Sequence, residues 1–147
     1  MPPNSRERAA TGLFLTLVLL SLSGLVHPWF EPVRDASVYI TTAKALLAGD
    51  GYSYLGMPFI ARPPGFPVLI APVLALSGTN FLALNLWVGL IGAGTVALCF
   101  LLFRERLGWP LAMAVATAIW LNPGFRRLSN EVMSDVPGLA LLIACLL

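Results

Sequence analysis

Apolar runs alternate with short polar segments along this chain of 147 residues. The strongest run, Phe81 to Phe103, has about 23 residues and would form a helix of roughly 34 Å, long enough to cross a bilayer. Weaker or incomplete runs precede and follow it. The pattern predicts an all-α, polytopic helical membrane protein with about four spans, at about 10–27, 80–103, 107–123 and, incomplete, 136–147.

The composition supports this class. Hydrophobic residues make up 58% of the chain and charged residues 11%, whereas soluble domains carry about 25% charged residues. The charged residues are scattered without a basic run and give a net charge of +2, so nothing indicates a nucleic acid as partner. Because the chain is so apolar, we expect membrane lipids as partners. A cleaved signal peptide is the alternative for the first run, but the further spans favour a retained helix.

The polar segment 28–79 contains two predicted short helices. In DASVYITTAKALLAGDGY the apolar side chains share one helical face, at Ala36, Ile40, Ala43 and Leu47. A helix of this length with one apolar face suits the membrane surface, and Gly49 would end it. The stretch 66–78 is too short to span, so we predict an interfacial or re-entrant element there.

The arginines predict the sidedness of the polar segments. Arg6 and Arg8 place the amino terminus in the cytoplasm, and the RER sequence at 104–106 marks a cytoplasmic turn. If 66–78 does not cross the membrane, the external loops 28–79 and 124–135 share the outer face. The alternative, in which 66–78 crosses, would put RER outside.

This arrangement leaves Arg126 and Arg127 on the outer side, which the positive-inside rule disfavours. An anionic ligand would account for them.

The outer face would then gather carboxylates, Asp35, Glu131 and Asp135, with arginines, Arg62, Arg126 and Arg127. A carboxylate acts as a general base when it lies within hydrogen-bond reach of a hydroxyl. Arginine binds phosphate oxygens in pairs and stays charged. The set therefore suits a reaction that deprotonates a hydroxyl while a phosphate is held.

Each of these residues also has a structural alternative. Asp35 could cap the helix that follows it, and Asp135 could cap the helix that begins near Pro137. Arg126 and Arg127 could contact lipid headgroups. Tyr39, one turn after Asp35, could face the same site or belong to an aromatic belt.

The segment RPPGFP, 62–67, predicts a rigid corner. Its prolines cannot continue a helix, and each pushes the preceding residue toward extended geometry. Such a corner would hold Arg62 near the site. The alternative is a corner in which Arg62 has no ligand role.

The order of four motifs resembles the start of the GT-C glycosyltransferases: DASVYITTAKALLAGDGY, RPPGFP, LNPGF and NEVMSDVP. Within that family the motifs resemble those of bacterial members similar to the protein mannosyltransferases and to the aminoarabinose transferases that act on lipid A. The resemblance covers nearly all of residues 10–147. It departs from the family where Ala36 follows Asp35, because members often have two adjacent acidic residues at that place.

The resemblance implies a GT-C-like fold and a polyprenyl-phosphate-linked sugar as donor. Asp35 matches the essential acidic residue of the family's first external loop, and Asp135, with Glu131 one turn earlier, matches that of the second. The expected reaction is glycosyl transfer at the outer face of the plasma membrane, with Asp35 as base. The acceptor, a lipid, glycan or protein, stays open.

In this interpretation Arg62, Arg126 and Arg127 hold the lipid phosphate, and Glu131 and Asp135 position the acceptor or a cation. A divalent cation is possible, but no residue is assigned as a metal ligand.

The last apolar run stops after 12 residues, so we expect the amino-terminal part of a longer protein, inactive alone. The rival interpretation is a non-catalytic membrane protein, either a transporter or a helical subunit of a complex. A transporter would place ionisable residues within its spans.

Overall fold

A computed structural model describes residues 5–31 and 35–147. Residues 32–34 of the predicted first external loop lie outside them. The described residues form seven helices and one hairpin: α1 Ser5–Leu25, α2 Ala36–Ala48, β1 Ser53–Tyr54, β2 Met57–Pro58, α3 Gly65–Ser77, α4 Phe81–Leu107, α5 Trp109–Leu121, α6 Pro123–Leu128 and α7 Asp135–Leu146. The prediction of an all-α protein is confirmed, apart from the hairpin of two-residue strands, which was not predicted.

Helix α4 is the centre of the structure, and α1, α5 and α7 pack along it. The end of α1 meets the first half of α4, since a Cβ added to Gly89 would lie 3.1 Å from Leu22. The two helices therefore run antiparallel, and their arginine-bearing ends lie on the same side. Trp120 of α5 joins them by donating a hydrogen bond from Nε1 to Ser21 Oγ at 3.0 Å.

The RER sequence is helical and does not form the predicted turn. Helix α4 continues through Arg104 and Arg106 to Leu107, and the chain turns at Gly108, whose φ is +76°. Arginine favours helix and stabilises the negative end of the helix dipole, whereas glycine accepts positive φ without strain.

The predicted third span, 107–123, forms a shorter helix. Helix α5 has 13 residues and ends at Leu121. The next residue, Asn122, is extended with ψ 121° because Pro123 disfavours helical geometry before it. The side chain of Asn122 then caps α6 by accepting a hydrogen bond from the N–H of Phe125 at 3.0 Å.

Among the described residues, α1 and α4 are long and apolar enough to cross a membrane, while α2, α3, α5 and α7 have 12 or 13 residues. The count of about four spans stays a prediction.

A cluster of buried apolar side chains joins the two predicted external loops, 28–79 and 124–135. Side chains of α2, α3 and the first half of α4 pack with Val132 and Met133 of the segment between α6 and α7. The face of α2 is close to the predicted one: Ala36, Ile40 and Ala43 are buried, but Leu47 is 47% exposed. Gly49 ends α2 with φ +83°, as predicted.

The segment before α7 reaches into the helices and does not lie on the surface. Residues 129–133 are all buried. Ser129 sits against Gly92, which is roughly 16 Å along α4 from its first residue. The close approach requires glycine there, because an added Cβ would lie 2.5 Å from Ser129 Oγ.

Candidate functional site

Asp35 and Arg62 form an ion pair. Arg62 donates from Nε to Asp35 Oδ2 at 2.9 Å. Asp35 occupies the N-cap position of α2, but its side chain makes no capping hydrogen bond. The carboxylate of Asp35 therefore accepts a hydrogen bond from Arg62 and does not cap α2.

The corner before α3 fixes the backbone of Arg62. The Tyr52 hydroxyl donates to the carbonyl oxygen of Arg62 at 3.0 Å, and Pro63 and Pro64 lead directly into the helix. The hydrogen bond to Asp35 is the main reason why the pKa of Arg62 is raised above its ordinary value. The guanidinium stays charged, but the pair is partly exposed, so its net contribution to stability is small.

Tyr39 joins α2 to the residue that precedes Asp135 and α7. Its hydroxyl lies 2.9 Å from Ser134 Oγ, the residue before Asp135. Its ring is buried and meets Phe66 edge-on at 5.0 Å between centroids. Tyr39 therefore faces the protein interior, one helical turn from Asp35, and the aromatic-belt alternative does not describe it.

Asp135 is the first residue of α7 and is exposed. Ser134 holds the N-cap position, and its side chain makes no capping hydrogen bond. A carboxylate at this place is favoured by the helix dipole. The Tyr39–Ser134 contact brings this end of α7 to α2, so the structure places Asp135 near the helix that begins at Asp35.

Glu131 forms a separate pair with Arg127. Arg127 donates from Nε to Glu131 Oε1 at 2.7 Å, and Glu131 is only 5% exposed. This hydrogen bond is the first cause of a raised pKa at Arg127. The two pairs differ in burial, since the Asp35 side chain is 30% exposed and the Glu131 side chain 4%. The predicted roles of Glu131 in acceptor positioning and of Arg127 in phosphate binding stay predictions.

Arg126 differs from its neighbour. Its Nε is buried and has no hydrogen-bond partner among the residues described. A buried donor without a partner is costly, and an anionic oxygen would satisfy it.

Sequence analysis missed a buried polar network beside this site. Asn85 of α4 donates from Nδ2 to the carbonyl oxygens of His27 and Trp29, at 2.9 and 3.3 Å. Asn130 Oδ1 accepts from the His27 N–H at 3.4 Å. The ring of His27 stacks on that of Trp29, with 4.3 Å between the centroids. The sequence signal for this network was Asn85 itself, a polar residue inside an apolar span. A buried polar group of this kind needs a hydrogen-bond partner.

An apolar cavity of about 310 Å³ lies between α3 and α7. Phe66 and Leu69 of α3 and Pro137 and Leu141 of α7 line it, and Ser134 adds a polar side chain to the lining. The cavity thus touches the residue that bonds Tyr39.

The possible divalent cation finds no assembled site. No group of three or more His, Cys, Asp or Glu side chains comes together in residues 5–31 and 35–147. Glu131, which was expected to position the acceptor or a cation, is paired with Arg127. No step of the mechanism proposed below involves a cation.

Comparisons with protein-family models, with curated proteins and with solved structures found no match. The resemblance to the GT-C glycosyltransferases therefore rests on the four motifs.

Proposed function

We propose that this chain is part of a glycosyltransferase in the plasma membrane. It would move a sugar from a polyprenyl-phosphate donor to a hydroxyl acceptor at the outer face. The observation that carries the proposal is the Asp35–Arg62 pair at 2.9 Å, because it joins a candidate base to a phosphate-binding side chain.

The reaction would follow from these two groups. The acceptor oxygen attacks the anomeric carbon of the sugar while Asp35 takes the hydroxyl proton. The bond between the anomeric carbon and the phosphate oxygen breaks, and its electron pair leaves with the polyprenyl phosphate. Arg62 would stabilise the negative charge that grows on that phosphate.

Arg126 is the second candidate for the phosphate. Its Nε is buried and has no partner among the described residues, whereas Arg127 is paired with Glu131, which is buried away from a ligand. We therefore assign the phosphate to Arg62 and Arg126, and a structural role to Arg127.

The apolar cavity between α3 and α7 would take the first part of the polyprenyl chain. Its lining includes Phe66, Leu69, Pro137 and Leu141, together with Ser134, which contacts Tyr39. Tyr39 lies one helical turn after Asp35. A lipid bound in the cavity would therefore have its phosphate near the Asp35–Arg62 ion pair.

The test is donor consumption in proteoliposomes that contain the natural protein. Mannosyl and aminoarabinosyl polyprenyl phosphates, each labelled in the sugar, would be incubated with an envelope extract as the source of acceptors. Transfer of label from either donor, absent in empty liposomes, is expected. No consumption of any polyprenyl-phosphate sugar by folded protein would favour the transporter or helical-subunit interpretation.

A further inference from the structure

The hairpin between α2 and α3 has an unusual turn. Its strands pair Ser53 with Pro58 and Tyr54 with Met57, which leaves a two-residue loop. Both loop residues have positive φ, +52° at Leu55 and +81° at Gly56. Asparagine, aspartate or glycine normally occupies the first position, because leucine is strained there. The chain thus keeps a strained leucine at the tip.

The tip is apolar and strongly exposed. Leu55 is 74% exposed, Met57 69% and Ile60 95%. No charged residue occurs between Asp50 and Arg62. A hairpin that faced water would gain nothing from three exposed apolar side chains and a strained turn.

The base of the hairpin is fixed, so the tip is presented in one orientation. Phe59 contacts the rings of Tyr52 and Tyr54, with centroids 5.7 and 5.6 Å apart. The N–H of Phe59 donates to the Tyr52 carbonyl oxygen at 3.0 Å. The Tyr52 hydroxyl ties this base to Arg62.

We propose that the hairpin inserts into the bilayer interface, with Leu55, Met57 and Ile60 among the acyl chains of the adjoining leaflet. The partner is a phospholipid surface. The uncharged segment and its two tyrosines fit the interface, where amphipathic rings are enriched. Helix α3, which follows the hairpin, also exposes the apolar side chains of Val68 and Leu76.

This inference rests on the proposed membrane location. It adds the depth in the bilayer at which the Asp35–Arg62 pair would lie. Because Tyr52 holds both the hairpin and the Arg62 backbone, an inserted tip would fix Arg62 near the level of the lipid headgroups. A polyprenyl phosphate carries its own phosphate at that level, so the hairpin would set the ion pair at the height of its substrate.

The experiment measures depth at single cysteines in the full chain reconstituted in phosphatidylcholine–phosphatidylglycerol vesicles. Cys99 and Cys145 are replaced by alanine, and Leu55→Cys or Ile60→Cys carries an environment-sensitive fluorophore. Lipids bearing a nitroxide near the headgroup or along the acyl chain quench it. Lys44→Cys on exposed α2 is the aqueous control, and Leu17→Cys on the exposed face of α1 is the span control.

We expect labels at 55 and 60 to be quenched by the headgroup nitroxide several-fold more strongly than the label at 44. Quenching at 17 together with hairpin labels as weakly quenched as 44 would overturn the hairpin proposal and leave the membrane location intact. A blue-shifted but unquenched label at 55 would mean that protein covers the tip, which also overturns it. Absence of quenching at 17 would refute membrane insertion, and the hairpin proposal with it.

Discussion

Replacement of Gly92 by alanine should loosen the segment that leads into α7. An added Cβ would lie 2.5 Å from Ser129 Oγ and 2.9 Å from Ser129 Cβ, closer than real Cβ atoms come. Ser129 is fully buried, so it cannot swing into solvent. The segment must therefore move away from α4, and Asp135 at the start of α7 moves with it.

Gly94 gives a matched control, because it lies on the same helix, is exposed, and has nothing within 4 Å of an added Cβ. Each alanine gains about 1 kcal/mol of helix propensity. Overpacking costs typically about 1–3 kcal/mol, and only Gly92→Ala suffers it. The free energy of unfolding of Gly92→Ala should thus fall below that of Gly94→Ala by about 1–3 kcal/mol.

The assay is equilibrium unfolding in mixed micelles with increasing dodecyl sulfate, followed by tryptophan fluorescence. Adding Ser129→Gly to Gly92→Ala removes the atoms that clash and should recover most of the loss in a double-mutant cycle. Equal stability of the two alanine variants, or no recovery in the double variant, would refute the packing of Ser129 on α4.

Three further variants test neighbouring contacts. Asn85→Leu leaves two carbonyl oxygens without a donor and should cost about 1–3 kcal/mol in the same unfolding assay, whereas unchanged stability would dismiss the network. Tyr39→Phe removes the hydroxyl contact with Ser134 and should cost about 1 kcal/mol and lower the transfer rate; an unaltered rate would separate this contact from the site. Arg62→Ala should raise KM for the lipid donor, and Arg62→Lys should recover part of the loss because it keeps the charge but not the planar fork. An unchanged KM in Arg62→Ala would remove Arg62 from phosphate binding.

The helices near the centre of the chain could be predicted because their signals are local. The apolar run from Phe81 fixes the start of α4, and the pattern after Asp35 with its closing Gly49 fixes α2. The charged residues were less informative about where helices end. The RER sequence indicates a side of the membrane, but the turn depends on Gly108, and the length of α5 depends on the Asn122–Pro123 pair.

The candidate site was predicted in part. Arg62 and Asp35 were predicted to share one face, and in the structure Arg62 bonds Asp35. The partner of Glu131 and the network around Asn85 were missed for different reasons. Arg127 and Glu131 are four residues apart and could have been paired from sequence, whereas Asn85 meets a carbonyl 58 residues away, which no local pattern reveals.

The hairpin was missed because two-residue strands are too short for an alternating pattern. Only Gly56 signals its turn, and Leu55 contradicts the usual residue preference.

The most direct test of the account compares glycosyl transfer by Asp35→Asn and Asp50→Asn with that of the unaltered natural protein. Both aspartates lie in the same connection, but only Asp35 bonds Arg62. Loss of a general base costs typically about 10²–10⁴-fold in rate. The account predicts a loss of this size in Asp35→Asn, with unchanged unfolding temperature, and near-normal transfer in Asp50→Asn. Full transfer by folded Asp35→Asn would contradict the assignment of Asp35 as the base.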